Sequence, residues 1–186
     1  MEELKNIIKE CASGKVRAQE KLYRMFAPKM FGVCLRYAKD RTEAEDNLQD
    51  GFVKVFSNIK KFRHEGSLEG WIRRIMVNVC LEKYRKQHLL HPVEDIQNYD
   101  IHKFSDNIIE KITADELMEL IQELPPRYKM VFNLFVIEGM NHKEIADEMN
   151  ISVGTSKSNL ARARDILKVK VAELYGESKS NSNYSA

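Results

Sequence analysis

Between residues 151 and 168 the chain reads ISVGTSKSNLARARDILK, and Ser152, Thr155, Lys157, Ser158, Asn159, Arg162 and Arg164 fall within it. Nearly all of these side chains donate hydrogen bonds to oxygen, and short donors come before long cations. The chemistry on offer is recognition. Small polar groups near a helix start let the backbone approach a groove closely, while Arg and Lys reach base edges or phosphates. The positive end of the helix dipole adds to the attraction for phosphate.

A helix must present those groups, and the same segment supplies one. Leu160, Ala163, Leu167 and Val171 recur at three- and four-residue steps on one face, and Ser152 is suited to cap the N-terminus. Upstream, Ile145-Ala146 predicts a short helix whose small residue permits close crossing. Asn150 stands at a turn that needs positive φ, where asparagine best replaces glycine. Cap, turn, small residue and basic face together predict a helix-turn-helix bound to DNA. The competing reading is an αα-hairpin whose polar face is merely solvated.

The charge pattern agrees with a polyanion partner. The 186 residues carry a net charge of only +2. Residues 52–90 hold nine Lys/Arg against three Asp/Glu, residues 91–125 two against nine, and residues 152–170 five against one. Two basic blocks thus flank an acidic connector, as in a protein with two contact surfaces for nucleic acid.

Helical spacing dominates on either side of a stretch from His91 to about Ile109 where it fades, so the expected class is all-α. Leu22, Phe26, Met30, Val33 and Tyr37 form a first stripe, with Pro28 expected to kink or break it. Thr42 is the expected cap of a second helix carrying Leu48, Phe52, Val53 and Phe56. Leu68, Trp71, Ile72, Ile75 and Val79 mark a third after Gly66-Ser67. A helical domain is expected at 1–90, a linker at 91–111, a second helical domain at 112–176 and a disordered tail at 177–186. Cys11, Cys34 and Cys80 are odd in number and far apart, which fits buried thiols rather than disulfides or a metal knuckle. The five histidines make no HExxH pair, and His88 and His91 lack converging ligands. No phosphate loop or GxSxG elbow is present, so neither an enzyme nor a cofactor is expected. No apolar run approaches the roughly 20 residues of a membrane span, and MEELKNIIKE has acids where a signal peptide needs bases. A soluble, cytoplasmic protein is expected.

Three stretches carry a resemblance, the first of which takes in the start of residues 151–168. Residues 123–164, ELPPRYKMVFNLFVIEGMNHKEIADEMNISVGTSKSNLARAR, resemble the fourth conserved region of bacterial sigma factors of the extracytoplasmic-function group. AEDNLQDGFVKVF at 44–56 resembles their second region, and WIRRIMVNVCLEKYRK at 71–86 the promoter-melting part that follows. The resemblance covers about residues 20–170 and is especially to the variants found in Bacteroidetes.

It implies a protein that binds core RNA polymerase and directs it to promoters, the chemistry belonging to the polymerase. By resemblance, Asp46, Gln49, Asp50, Phe52 and Phe56 dock on the clamp coiled coil of the largest subunit. Core packing is the rival reading for the two phenylalanines. Residues 60–74 become the promoter-opening element. Lys60, Lys61, Phe62, Arg63, Arg73 and Arg74, with Asn78, supply cations and an aromatic face that capture a single strand. A loop hinged at Gly66 and Gly70 is the expected pocket for a flipped base, and Trp71 is expected in the core. The resemblance assigns Ser152, Thr155, Lys157, Ser158 and Arg162 to the upstream promoter element and Arg164 to phosphate. Residues 131–135 are assigned in part to the flap of the second-largest subunit. It also implies a membrane-anchored anti-sigma partner. Three positions depart from the family's habit: Glu82 for aspartate, Asn47 for an apolar residue and Ser156 for valine. The alternative function is a helix-turn-helix regulator that never joins polymerase, which leaves the acidic-aromatic patch at 45–56 unexplained.

Overall fold

Three-and-four spacing of apolar residues yields helices through the residues that this computed structural model describes, 2–90 and 113–181, with no strand among them. The chain divides into two units, Met1–Pro92 and Val93–Ala186. The connector at 91–111 lies outside the described residues.

The first unit comprises α1 (Glu2–Ala12), α2 (Val16–Tyr37), α3 (Arg41–Asn58), a 3-10 turn (Ile59–Lys61) and α4 (Leu68–Leu90). Helices α2, α3 and α4 pack pairwise, and α1 adds Ile7, Ile8 and Cys11 to their core. Leu22, Met30, Val55, Ile72, Met76 and Leu81 are almost wholly removed from water. Each such side chain contributes about 1.5–3 kcal/mol. Pro28 does not break α2, which runs through it. The proline is on the exposed side, where water can serve the carbonyl that it deprives of a donor. Thr42 does not cap α3. Asp40 does, its Oδ1 accepting from the Glu43 backbone N–H at 2.8 Å, because α3 starts one residue before Thr42. All three cysteines are free and buried. The contact with Cys34, with burial as the second cause, pushes the Cys80 thiol far above the ordinary thiol range.

The second unit contains α5 (Ala114–Gln122), α6 (Pro126–Phe132), a π-turn (Asn133–Ile137), α7 (His142–Met149) and α8 (Val153–Asn181). Thr113 and Glu116 close a capping box on α5, and the hydrogen bonds from the Thr113 side chain and backbone hold the Glu116 carboxyl below its ordinary value. Asn141 and Glu144 repeat the device on α7. After the π-turn the chain reverses at Gly139, whose φ of 70° suits glycine. Leu160, Ala163, Leu167 and Val171 are buried as their spacing predicts, against a core that includes Leu134 and Ile145. The expected tail at 177–186 is corrected in part: α8 continues to Asn181, and the remainder lies outside the described residues.

Between α7 and α8, Asn150 is left-handed at φ 54°, ψ 48°, and the backbone N–H groups of Asn150 and Ile151 both donate to the Ala146 carbonyl. A β-branched side chain is strained there. Asn150→Val is therefore expected to cost the second unit about 1–2 kcal/mol, while Asn150→Gly stays within a few tenths. Urea unfolding of both variants checks this, and equal midpoints would count against the turn's role.

Candidate nucleic-acid and protein interfaces

On α8, Ser152 caps the start: its Oγ accepts from the Thr155 backbone N–H at 2.9 Å and lies 2.8 Å from the Thr155 hydroxyl. Ser158 donates its hydroxyl to the Thr155 carbonyl at 3.0 Å. These hydroxyls fasten the first turns, and Ser152 and Ser158 remain on the surface, with Thr155 half-buried. Lys157, Arg162 and Arg164 are exposed. Helical geometry sorts them: Arg162 shares the Thr155–Ser158 side, while Lys157, Arg164 and the exposed Lys168 follow the other flank at seven- and four-residue steps.

Asn159 is a correction. It is buried, 5% exposed, because the row 155–159–163 turns inward and ends on the fully buried Ala163. Ser156, the departure within this helix, is wholly buried too. Its Oγ lies 3.0 Å from Nδ1 of His142, joining α8 to the first residue of α7. The ring of His142 stacks on Phe135 of the π-turn, centroids 4.7 Å apart, and the guanidinium of Arg164 lies 5.8 Å from the Phe135 centroid.

In the first unit Lys60, Lys61 and Arg63 are exposed at the 3-10 turn and just after it. Phe62 is half-buried, packed 5.6 Å from Trp71 and 4.7 Å from His64, so it fastens the loop to the start of α4. Trp71 itself is only half-buried, at the rim of the core. Of the two expected hinges, Gly66 lies in the loop before α4 and Gly70 does not. Gly70 lies inside α4, donating its N–H to Oγ of Ser67 at 3.0 Å, and the left-handed residue is His64 at φ 59°. Gly70, Arg74 and Asn78 follow one exposed row of α4, giving bare backbone and then a cation and an amide. Arg73 is half-buried and engaged.

The outward side of α3 carries Asp46, Gln49 and Asp50, all exposed, with Asp50 paired to Lys83 of α4 at 2.9 Å. Glu82 reaches Lys54 at 2.6 Å, a second brace between these helices. Phe52 is corrected from surface to core: it is 3% exposed and packs 4.6 Å from Tyr23, while Phe56 is half-buried beside it. The open apolar group of this side is Val53, 66% exposed, although its spacing places it in the expected apolar stripe of the helix. Its signal was available, since 46, 49, 50 and 53 share one helical row. Asn47 points inward and its Oδ1 meets no hydrogen-bond partner. Of residues 131–135, Val131, Phe132 and Leu134 are core, and the exposed apolar neighbour is Val136.

Among the described residues, no cluster of His, Cys, Asp and Glu is arranged to hold a metal ion. No described helix is long and apolar enough to cross a membrane.

Residues 22–89 match the family model described as sigma-70 region 2, and residues 114–167 match that described as sigma-70, region 4. The ECF RNA polymerase sigma-E factor of Haemophilus influenzae is 28% identical over 180 residues, spanning 90% of this chain and 95% of that protein. The ECF RNA polymerase sigma factor SigW of Bacillus subtilis is 26% identical over 183 residues, spanning 92% and 98%. Among solved structures, the sigma factor RpoE in complex with the anti-sigma factor NepR from Bartonella quintana aligns over 85% of this chain and 98% of that one, at 19% identity and a TM-score of 0.49. With both sigma-70 regions present in order, one on each helical unit, and near full-length likeness to extracytoplasmic-function factors, the chain belongs to the extracytoplasmic-function group of the sigma-70 family, the sigma factors of transcription initiation.

Proposed function

We propose that this sigma factor docks on the clamp coiled coil of core RNA polymerase through the outward row of α3, with Asp46, Gln49 and Asp50 around Val53 and Phe56 at its margin. The exposure of that row carries the reading. An apolar side chain left open among acids and an amide suits a protein partner, whereas a regulator acting only through its helix-turn-helix has no use for it. The unit at 1–90 takes the downstream element and the melted strand through Lys60, Lys61, Arg63, Arg74 and Asn78, with Phe62 and Arg73 behind them. The unit at 112–176 takes the upstream element: Ser152, Thr155, Ser158 and Arg162 face base edges and Lys157 and Arg164 phosphates. Val136 meets the flap. The protein works in the cytoplasm as a regulatory subunit rather than an enzyme, is of the Bacteroidetes type, and is restrained by a membrane-anchored anti-sigma factor. Motif resemblance and family membership support these last assignments.

Reconstituted transcription tests the docking. The triple variant Asp46→Lys/Gln49→Lys/Asp50→Lys is expected to lose co-elution with core polymerase and promoter-dependent transcripts. Its stability should fall by less than about 1 kcal/mol, since only exposed groups and one surface ion pair change. Val53→Asp should weaken association on the order of tenfold, the scale of a desolvated apolar contact. A triple variant that still co-elutes, or natural protein inactive with its own core enzyme, would sink this reading.

A further inference from the structure

We infer that Phe135 is a positioning residue for DNA binding: its ring is the platform that fixes the Arg164 guanidinium for a phosphate of the duplex. The inference rests on the proposed role of α8 as the DNA reader, and it adds a residue that itself need not touch DNA. Arg164 is exposed, and an arginine in that state ordinarily samples many rotamers, each of which must be given up on binding. Here one face of Phe135 lies within cation–π range of the guanidinium, centroid to carbon 5.8 Å. The ring itself is fixed. It stacks on His142 at 4.7 Å and 25° between planes, and His142 is tied by Nδ1 to the buried hydroxyl of Ser156 at 3.0 Å.

Backbone geometry explains why the ring stands there. Phe135 lies in the π-turn Asn133–Ile137, in which Glu138 N–H reaches back to the Asn133 carbonyl at 3.0 Å and Met140 N–H to that of Leu134 at 3.0 Å. The widened turn rotates successive side chains differently from an α-helix, so Leu134 goes to the core and Phe135 remains half-buried between α7 and α8. The chain Ser156–His142–Phe135–Arg164 thus begins inside α8 and returns to its surface. Arg164 lies on the flank shared with Lys157 and Lys168, a row of cations suited to following one strand's phosphates.

Binding of the full chain to a fluorescently labelled random-sequence DNA duplex, titrated at several salt concentrations, tests the platform. Arg164→Ala should weaken binding and reduce the salt slope by about one. Phe135→Leu keeps an apolar side chain but removes the π face, and should weaken binding about two- to fivefold, the range of an exposed cation–π contact. Phe135→Tyr should restore the affinity. In the Arg164→Ala background, Phe135→Leu should have no further effect, which separates positioning from general damage to the fold. A silent Arg164→Ala would overturn both the reading of α8 and this inference. Arg164→Ala that weakens binding beside a silent Phe135→Leu, or a Phe135→Leu loss equal in both backgrounds, would overturn the platform alone.

Discussion

Gly51→Ala is expected to destabilise the first unit in the natural chain and to stabilise it once Met76 is alanine. Glycine inside a helix normally costs stability, roughly 0.5–1 kcal/mol against alanine, so replacing it usually helps. At this position the backbone of α3 passes so close to α4 that a Cβ would stand 2.1 Å from the Met76 sulfur and 2.8 Å from its terminal methyl. Met76 is wholly buried, so its flexible end would have to move against the core around it rather than out into water. Overpacking of this kind costs about 1–3 kcal/mol, which outweighs the gain in helix propensity. Met76→Ala alone should cost about 2–5 kcal/mol through the cavity that it leaves. Within that cavity the alanine at 51 is free of the clash and only its propensity gain remains. Thermal melts of the two single variants and the double read the change of sign, since 1 kcal/mol moves the midpoint of a domain this size by roughly 4–8 °C. The same sign in both backgrounds would show that the close approach does not govern the site.

Arg162→Ala is expected to reduce promoter use by roughly five- to 150-fold, the range for loss of one specific base contact of about 1–3 kcal/mol. Co-elution with core polymerase should be unchanged, because the proposed docking row is on α3 of the other unit. Arg162 shares its side of α8 with Thr155 and Ser158, whose hydroxyl bonds stiffen the helix start. Run-off transcription on fragmented genomic DNA would first identify a responsive promoter. Single base changes in its upstream element would then lose their effect in Arg162→Ala at one position, while Lys157→Ala should weaken all sequences alike. Loss of polymerase binding in Arg162→Ala would refute the division of labour between the two units.

Much of the fold was legible because the apolar periodicity is strong. The α8 stripe, the left-handed Asn150, the cap at Ser152 and the all-helical class follow from local chemistry that leaves few alternatives. Helix limits were less legible: Asp40 displaced Thr42 as the cap, Pro28 was absorbed into α2, and α8 outran its apolar stripe. Competing hydroxyl and carboxylate caps differ by tenths of a kcal/mol, and the tertiary contacts choose between them.

The sequence by itself determined which segments are helical, where their apolar stripes run, that two basic blocks flank an acidic stretch, and which family's motifs the chain carries. Only the tertiary structure decided which polar or aromatic residues remain available to a partner. Phe52 and Asn159 are consumed by packing, Val53 is left open, and Ser156 turns inward to His142. Residue type gives the chemistry a side chain can offer, but its exposure depends on how deeply a neighbouring helix covers that face. That depth is set by distant residues, as where Gly51 lets Met76 in.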